Sequence, residues 1–352
     1  MKVAPVLLAL NQRENIAQTL IHTGQHYDVN MSDVFFQQLG IPAPDINLAV
    51  GSGTHAKQTA EIMIRLEPII LERRPDIVLI YGDVNSTVAT ALVCAKVGVP
   101  IGHVEAGLRS FDRSMPEEIN RLVTDQLADL LFTPSADADE NLRKEGIPAS
   151  KIFPVGNVMI DSLVRLLPLA QNVSRDGLPP RYALVTLHRP ANVDDSDTLK
   201  KILEALLEVN RDLSVVFPAH PRTRKRIADF GLNPEQLRLC DPLPYIEFLA
   251  LQSRATLVIT DSGGIQEETT FLGVPCLTLR ENTERPITVT LGTNVLVGRD
   301  PRKLRSELLR VLRGRQKKGS IPPQWDGHSG ERIAEILVGE RGRLGCASSV
   351  EY

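Results

Sequence analysis

Short β-rich runs alternate with helical stretches almost from one end of the chain to the other, the pattern of α/β domains with parallel sheets. In the first half, strands are predicted over residues 17–22, 46–50, 77–81, 100–104, 130–133 and 152–154, with helices over 55–73, 85–96 and 117–128. Several of these strands are apolar throughout, as expected when helices cover both faces of a sheet. A second alternation follows the polar, proline-rich stretch 171–181. It predicts strands over 182–186, 214–218, 237–239, 257–260 and 275–278, and helices over 198–210, 223–228, 245–255 and 264–272. The expected architecture is therefore two doubly wound, Rossmann-like domains facing a cleft. Residues 1–168 form the first domain and 169–332 the second; 333–352 supply a C-terminal helix, placed to pack back on the first domain, and a frayed tail. The opening departs from this pattern. A doubly wound domain normally begins with a strand, yet residues 1–10 already read as a helix, so the leading strand is expected to be missing.

Composition narrows the function classes. The chain has 352 residues, 42% of them apolar and 24% charged, the profile of a soluble globular protein with room for two cores. A formal charge of −3 gives no electrostatic case for nucleic acid or a membrane surface as partner. Cys94, Cys240, Cys276 and Cys346 are far apart and show no CxxC pairing, so they read as reduced thiols of a cytoplasmic protein. No apolar run approaches the ~18 residues of a membrane span, and no signal-peptide pattern opens the chain. No histidine and carboxylate cluster has metal-ligand spacing, and neither GxGxxG nor GxxxxGK[ST] occurs, so no metal, nicotinamide or P-loop cofactor is expected.

The candidate chemistry lies in two segments. From His103 to Arg121, Glu105, Asp112, Glu117 and Glu118 stand among Arg109, Arg113 and Arg121, just beyond an apolar strand. Carboxylates held near arginines at the carboxyl end of a strand suit acid/base work on an anionic substrate. Asp83, in Tyr81-Gly82-Asp83, also sits at a strand end, where capping the next helix is its competing role. Far downstream, Asp261-Ser262-Gly263-Gly264 ends a strand and opens a helix. Ser262 can cap that helix, while Gly263 and Gly264 let backbone N–H groups approach a phosphate. Glu268, one turn into the helix, is better placed to accept from two ribose hydroxyls, which points to a nucleoside diphosphate. Arg285 adds a cation from the next loop. His188 and His220 each follow a strand and each stand near an arginine, an arrangement that favours an anion site.

Together these segments resemble the non-hydrolysing UDP-N-acetylglucosamine 2-epimerases. The resemblance runs from about Lys2 to Leu337 and rests on seven segments in the right order: residues 23–27, 81–83, 103–109, 116–121, 188–189, 261–268 and 283–286. It implies a GT-B-like fold and interconversion of UDP-GlcNAc and UDP-ManNAc. The route would be anti elimination of UDP to 2-acetamidoglucal, then readdition with inversion at C2. It places Asp83, Glu105, Glu117 and His188 at catalytic positions. Lys2, Arg121, His220, Phe248, Ser262, Gly263, Gly264, Glu268 and Arg285 become candidates for holding UDP or substrate, with Phe248 near the uracil. Gln25 and Arg109 fall near an effector site. The implied partners are a UDP-sugar and a second copy of the chain. Two departures are visible: the family's opening strand and Gly-Thr-Arg-Pro-Glu turn are not in the chain, and Ala191 stands where a glutamate is usual. The competing expectations are a GT-B glycosyltransferase using a UDP-sugar, and a UDP-sugar-binding homologue whose shortened start impairs catalysis.

Overall fold

A computed structural model describes residues 1–24, 38–234 and 236–340. Gln25 and Cys346 lie outside them. The chain divides into two compact units, residues 1–162 with those from 323 onward, and residues 163–322.

In the first unit the apolar opening is helical, as α1 (Val3–Asn11). Two short parallel strands follow, β1 (Ile21–His22) and β2 (Ile46–Asn47), each shorter than its apolar run because the pairing spans only two residues. Helix α2 (His55–Arg73) begins at Thr54, whose side chain accepts the N–H of Lys57. The alternation then continues through β3 (Val78–Tyr81), α3 (Asn85–Lys96), β4 (Ile101–Val104), α4 (Pro116–Leu127), β5 (Leu130–Thr133), α5 (Ala136–Lys144), β6 (Ile152–Pro154) and α6 (Val158–Gln171). Strands β3 to β6 form one parallel sheet in sequence order, while β1 and β2 pair only with each other. A doubly wound sheet places its first strand between those two groups; among the described residues no strand occupies that position, so the sheet is in two pieces.

Successive residues of these strands face opposite cores. Ile101 and Leu131 pack with Ile62, Leu66, Ala89 and Val93 of α2 and α3. Val104, Leu130 and Phe132 pack with Val6 and Leu10 of α1 and with Ile333 and Leu337 of α14 (Ser329–Gly339), the last helix. The segment leading into α14 lies over the carboxyl ends of β5 and β6. There the indole of Trp325 donates to Pro134 O at 2.8 Å, and the N–H of Gly330 to Asp161 at 2.7 Å.

The second unit contains β7 (Tyr182–Thr186), α7 (Pro190–Val193), α8 (Ser196–Asp212), β8 (Ser214–Pro218), α9 (Pro221–Asp229) and β9 (Arg238–Cys240). It continues with α10 (Tyr245–Arg254), β10 (Leu257–Thr260), α11 (Gly263–Leu272), β11 (Cys276–Thr278), α12 (Pro286–Thr290), β12 (Asn294–Leu296) and α13 (Pro301–Leu312). The sheet order is β12-β11-β10-β7-β8-β9, all parallel, the doubly wound order in full. Order reverses between β7 and β10, the crevice where such sheets take ligands at their carboxyl ends. One face packs on Leu199, Leu203 and Leu206 of α8 and Leu304 and Leu308 of α13; the other packs on Leu251 of α10. Strand β12 and helix α13 were not anticipated from the sequence. The strand is only three residues long, and the helix follows a charged turn in which Asp300 caps Arg302 N–H.

Candidate active site

Register brings the first group of carboxylates together. Strands β3 and β4 pair Tyr81 with Val104, so Gly82-Asp83 and Glu105 leave the sheet side by side. Glu105 is buried and has φ +76°, a left-handed conformation unusual for any residue but glycine. Its carboxylate pairs with the ammonium of Lys2, and both lie against Gly82. A Cβ at Gly82, itself at φ +70°, would stand 2.6 Å from Lys2 Nζ and 3.2 Å from Glu105 Oε2. Only glycine fits that crossing.

Helix α4 supplies the rest. Glu117 and Glu118 occupy its first turn. Glu118 is buried and accepts from Ser110 N, Ser110 Oγ and Phe111 N, each at 2.9 Å. Burial pushes its carboxyl up, but the Ser110 and Arg121 hydrogen bonds outweigh that and hold it below the ordinary value. Arg121, one turn on, is buried between Asp83 and Glu118, and Asn120 Nδ2 donates to the backbone O of Asp83 at 2.8 Å. Asp83, Glu105 and Glu117 are thus all placed by the ends of β3 and β4 and the start of α4.

The second unit collects the anion-binding candidates at its crevice. His188 follows β7 and Asp261 follows β10, strands paired through Thr186 and Thr260. Buried Asp261 accepts from the backbone N–H groups of His188 and Arg189, from Asn192 Nδ2 at 3.1 Å, and lies 3.1 Å from His188 Nδ1. The ring of His188 is thereby oriented while staying half-exposed. His220 follows β8, and its Nδ1 accepts Arg222 N–H at 3.2 Å, capping α9. Burial lowers the basicity of His220, and His188 and Arg222 lower it further.

At the N-terminus of α11, Ser262 occupies the cap position, but its side chain makes no cap bond; its N–H is instead held by Thr260 Oγ1 at 3.0 Å. A Cβ at Gly263 would lie 2.5 Å from Arg285 Nη1 and 2.6 Å from Glu284 Oε1, so this glycine admits the arginine against the helix end. Arg285 pairs with Glu284, and its Nε lies 2.8 Å from Glu267 Oε1; Glu284 is also reached by Arg280 at 2.6 Å and by Arg189 at 3.7 Å. Three guanidinium groups thus face two carboxylates at a helix N-terminus, an excess of positive charge suited to an anion. Glu268 is buried within α11 and accepts the Tyr245 hydroxyl at 2.9 Å, while its Oε2 has no hydrogen-bond partner. Phe248 is half-buried beside Tyr182 and Leu184.

Three of the candidate cations have carboxylate partners within the first unit. Arg109, expected near an effector site, has a buried guanidinium 2.7 Å from Asp125 and paired with Glu145. Lys2 pairs with Glu105, and Arg121 with Asp83 and Glu118. Ala191 is exposed on the short α7. Sequence reasoning passed over Arg280, Glu284, Tyr245 and the anchoring role of Asp261. The one available signal was the density of charge in residues 280–285 after an apolar strand.

Two parallel α/β units, one ending in clustered carboxylates and the other in an anion-receptive helix terminus, define an enzyme of the GT-B-like class. The chain belongs to the UDP-N-acetylglucosamine 2-epimerase family, whose model matches residues 8–338. It is 44% identical to the UDP-N-acetylglucosamine 2-epimerase of Methanocaldococcus jannaschii, over 96% of this chain and 95% of that one. It is also 44% identical to the UDP-2,3-diacetamido-2,3-dideoxy-D-glucuronate 2-epimerase of Pseudomonas aeruginosa, over 96% of each. A crystal structure of the M. jannaschii epimerase in complex with UDP-GlcNAc and UDP superposes with a TM-score of 0.89, at 43% identity and 96% coverage of both chains. The Neisseria meningitidis epimerase bound to UDP-GlcNAc gives 0.87 at 30% identity, again over 96% of each.

Proposed function

We propose that this chain interconverts UDP-GlcNAc and UDP-ManNAc without net hydrolysis. C2–H of the sugar is not next to a carbonyl and is barely acidic. Breaking the C1–O bond to UDP as the proton leaves puts positive charge at C1 and acidifies that hydrogen. Anti elimination gives 2-acetamidoglucal and UDP, and readdition with the proton delivered to the other face inverts C2. Asp83, Glu105 and Glu117 are the acid/base candidates for the two proton transfers. The α11 terminus with Arg285 and His188 stabilises UDP first as leaving group and then as nucleophile. Glu268 Oε2 accepts from the ribose, and Phe248 stands at the base. The observation that carries the reading is the β3–β4 register, which brings Asp83 and Glu105 off the sheet side by side, with Lys2 on Glu105 and Arg121 on Asp83: an acid/base set held on strand ends of a family member.

The P. aeruginosa relative, equally similar, keeps a related 2-acetamido uronate open as the sugar. Proton NMR in D2O with each UDP-sugar separates the cases. The expected result is the 2-epimer with deuterium at C2 and UDP retained; free sugar plus UDP, or no exchange with either substrate, would overturn the proposal. We also propose a homodimer. Ile64 and Leu71, 66% and 51% exposed on α2, are apolar positions that a second copy would cover, and light scattering of the purified protein tests it. The unpaired thiols of Cys94, Cys240 and Cys276 suit a cytoplasmic setting.

A further inference from the structure

His103 is wholly buried in the middle of β4, and its imidazole spans two elements. Nε2 lies 2.8 Å from the carbonyl O of Gly82, which can only accept, so this nitrogen donates. Nδ1 lies 2.6 Å from Asp125 Oδ1 on α4. Asp125 is itself fixed by Gly107 N–H at 3.1 Å and Arg109 at 2.7 Å, and Arg109 is anchored in turn by Glu145. The ring is therefore clamped from behind and has one task in front, holding the Gly82 carbonyl. The next peptide group is held as well, since Asn120 Nδ2 donates to Asp83 O at 2.8 Å. The peptide groups on both sides of the Asp83 α-carbon are pinned, one by a strand residue and one by a helix residue.

We infer that His103 and Asn120 are positioning residues for the epimerisation: they lock the Gly82-Asp83 backbone so that the Asp83 carboxylate is preset for proton transfer, and they take no part in holding UDP. This rests on the reading of Asp83 as an acid/base residue. The physical basis is that a carboxylate misplaced by about 1 Å can cost on the order of 100-fold in rate without weakening remote binding.

The two ring nitrogens can be tested apart. In His103→Gln the amide nitrogen replaces Nε2 and can still donate to Gly82. In His103→Asn it replaces Nδ1 and reaches only Asp125. Turnover, C2 deuterium wash-in, UDP affinity and melting temperature are measured on the full chain. His103→Asn is expected to lose about 100-fold in kcat with KM and UDP affinity unchanged, and His103→Gln to recover most of it. Asn120→Ala should repeat the kcat loss from the other side of Asp83 and keeps the test alive where both His103 variants fail to fold. Equal losses in both His103 variants that track melting temperature would overturn the inference, as would parental turnover in His103→Asn or Asn120→Ala. Asp83→Asn separates the two levels. If it turns over normally, the reading of Asp83 is what fails; if it is inactive while His103→Asn and Asn120→Ala are not, only the clamp fails.

Discussion

The Tyr245 hydroxyl donates to Glu268 Oε1 at 2.9 Å, while Oε2 of the same buried carboxylate has no partner. Burial, with the neighbouring Glu267 charge, pushes Glu268 from its ordinary 4.5 up to about 7, while Tyr245 and Gln252 pull the other way. Ribose hydroxyls donating to Oε2 favour the ionised form. UDP affinity should therefore fall about tenfold per pH unit below neutrality, with proton release on binding. Calorimetric titration with UDP on either side of neutral pH checks this. Glu268→Gln removes that part of the slope, and identical slopes in parent and variant would sink the assignment. The free protein carries the linked effect. A folded pKa above the unfolded value gives stability that is full below about 4.5 and lost as pH rises through about 7, a loss the glutamine variant escapes.

Glu284 is the opposite case. Burial alone would raise its carboxyl, but Arg285, Arg280 and Arg189 hold it well below the usual carboxylate range. A depressed folded pKa gives stability that is present above the unfolded value and lost as pH falls. Glu284→Ala leaves buried guanidinium charge under-compensated and should cost about 3–5 kcal/mol at neutral pH. Urea unfolding should show the gap between parent and variant shrinking once the pH drops below 4.5, the ordinary value of the group. A gap that does not change with pH would mean that packing, not charge, sets the loss.

At Gly263 the test is steric, because this glycine is not in the left-handed region and a Cβ there meets Arg285 and Glu284 at 2.5 and 2.6 Å. Gly263→Ala should cost about 1–3 kcal/mol through overpacking and weaken UDP binding by displacing Arg285. Gly339→Ala, where a Cβ meets nothing within 4 Å, is the control. Unchanged melting temperature and UDP affinity in Gly263→Ala would show that the guanidinium can yield.

What was legible from sequence follows from which interactions are local. Apolar runs such as 130–133 and 257–260 became strands at those residues, because burial on both faces leaves a period-free apolar signal. The glycine turn at 263–264 and the carboxylates at strand ends were visible for the same reason. The destinations of the cations were not. Arg109 and Arg121 read as ligand-binding arginines because sequence shows charge but not partner: Glu118 is three residues from Arg121, but Asp125, Glu145 and Asp83 lie 16 to 38 positions from the arginines they hold. The Ser262 cap failed for a related reason: Thr260, two residues earlier, holds the Ser262 N–H and fixes the turn without it.

Glu105 joins backbone strain to the proposed chemistry. Its φ of +76° turns the chain sharply at the end of β4 and brings the carboxylate back onto Lys2 and Gly82. An L-residue in that region costs roughly 1–2 kcal/mol relative to glycine, which adopts it without a Cβ clash. Glu105→Ala and Glu105→Gly both delete the carboxylate and the Lys2 ion pair, so the difference between them isolates the strain. The glycine variant is expected to be more stable by about 1–2 kcal/mol in chemical denaturation, and both should lack turnover. Equal stabilities would mean that the turn is not strained. Turnover surviving in either variant would remove Glu105 from the acid/base set and leave the proton transfers to Asp83 and Glu117. The pair of variants asks whether a site can keep a strained residue for its side chain alone: if the stabler glycine protein is also the inactive one, the strain persists for the sake of the carboxylate it positions.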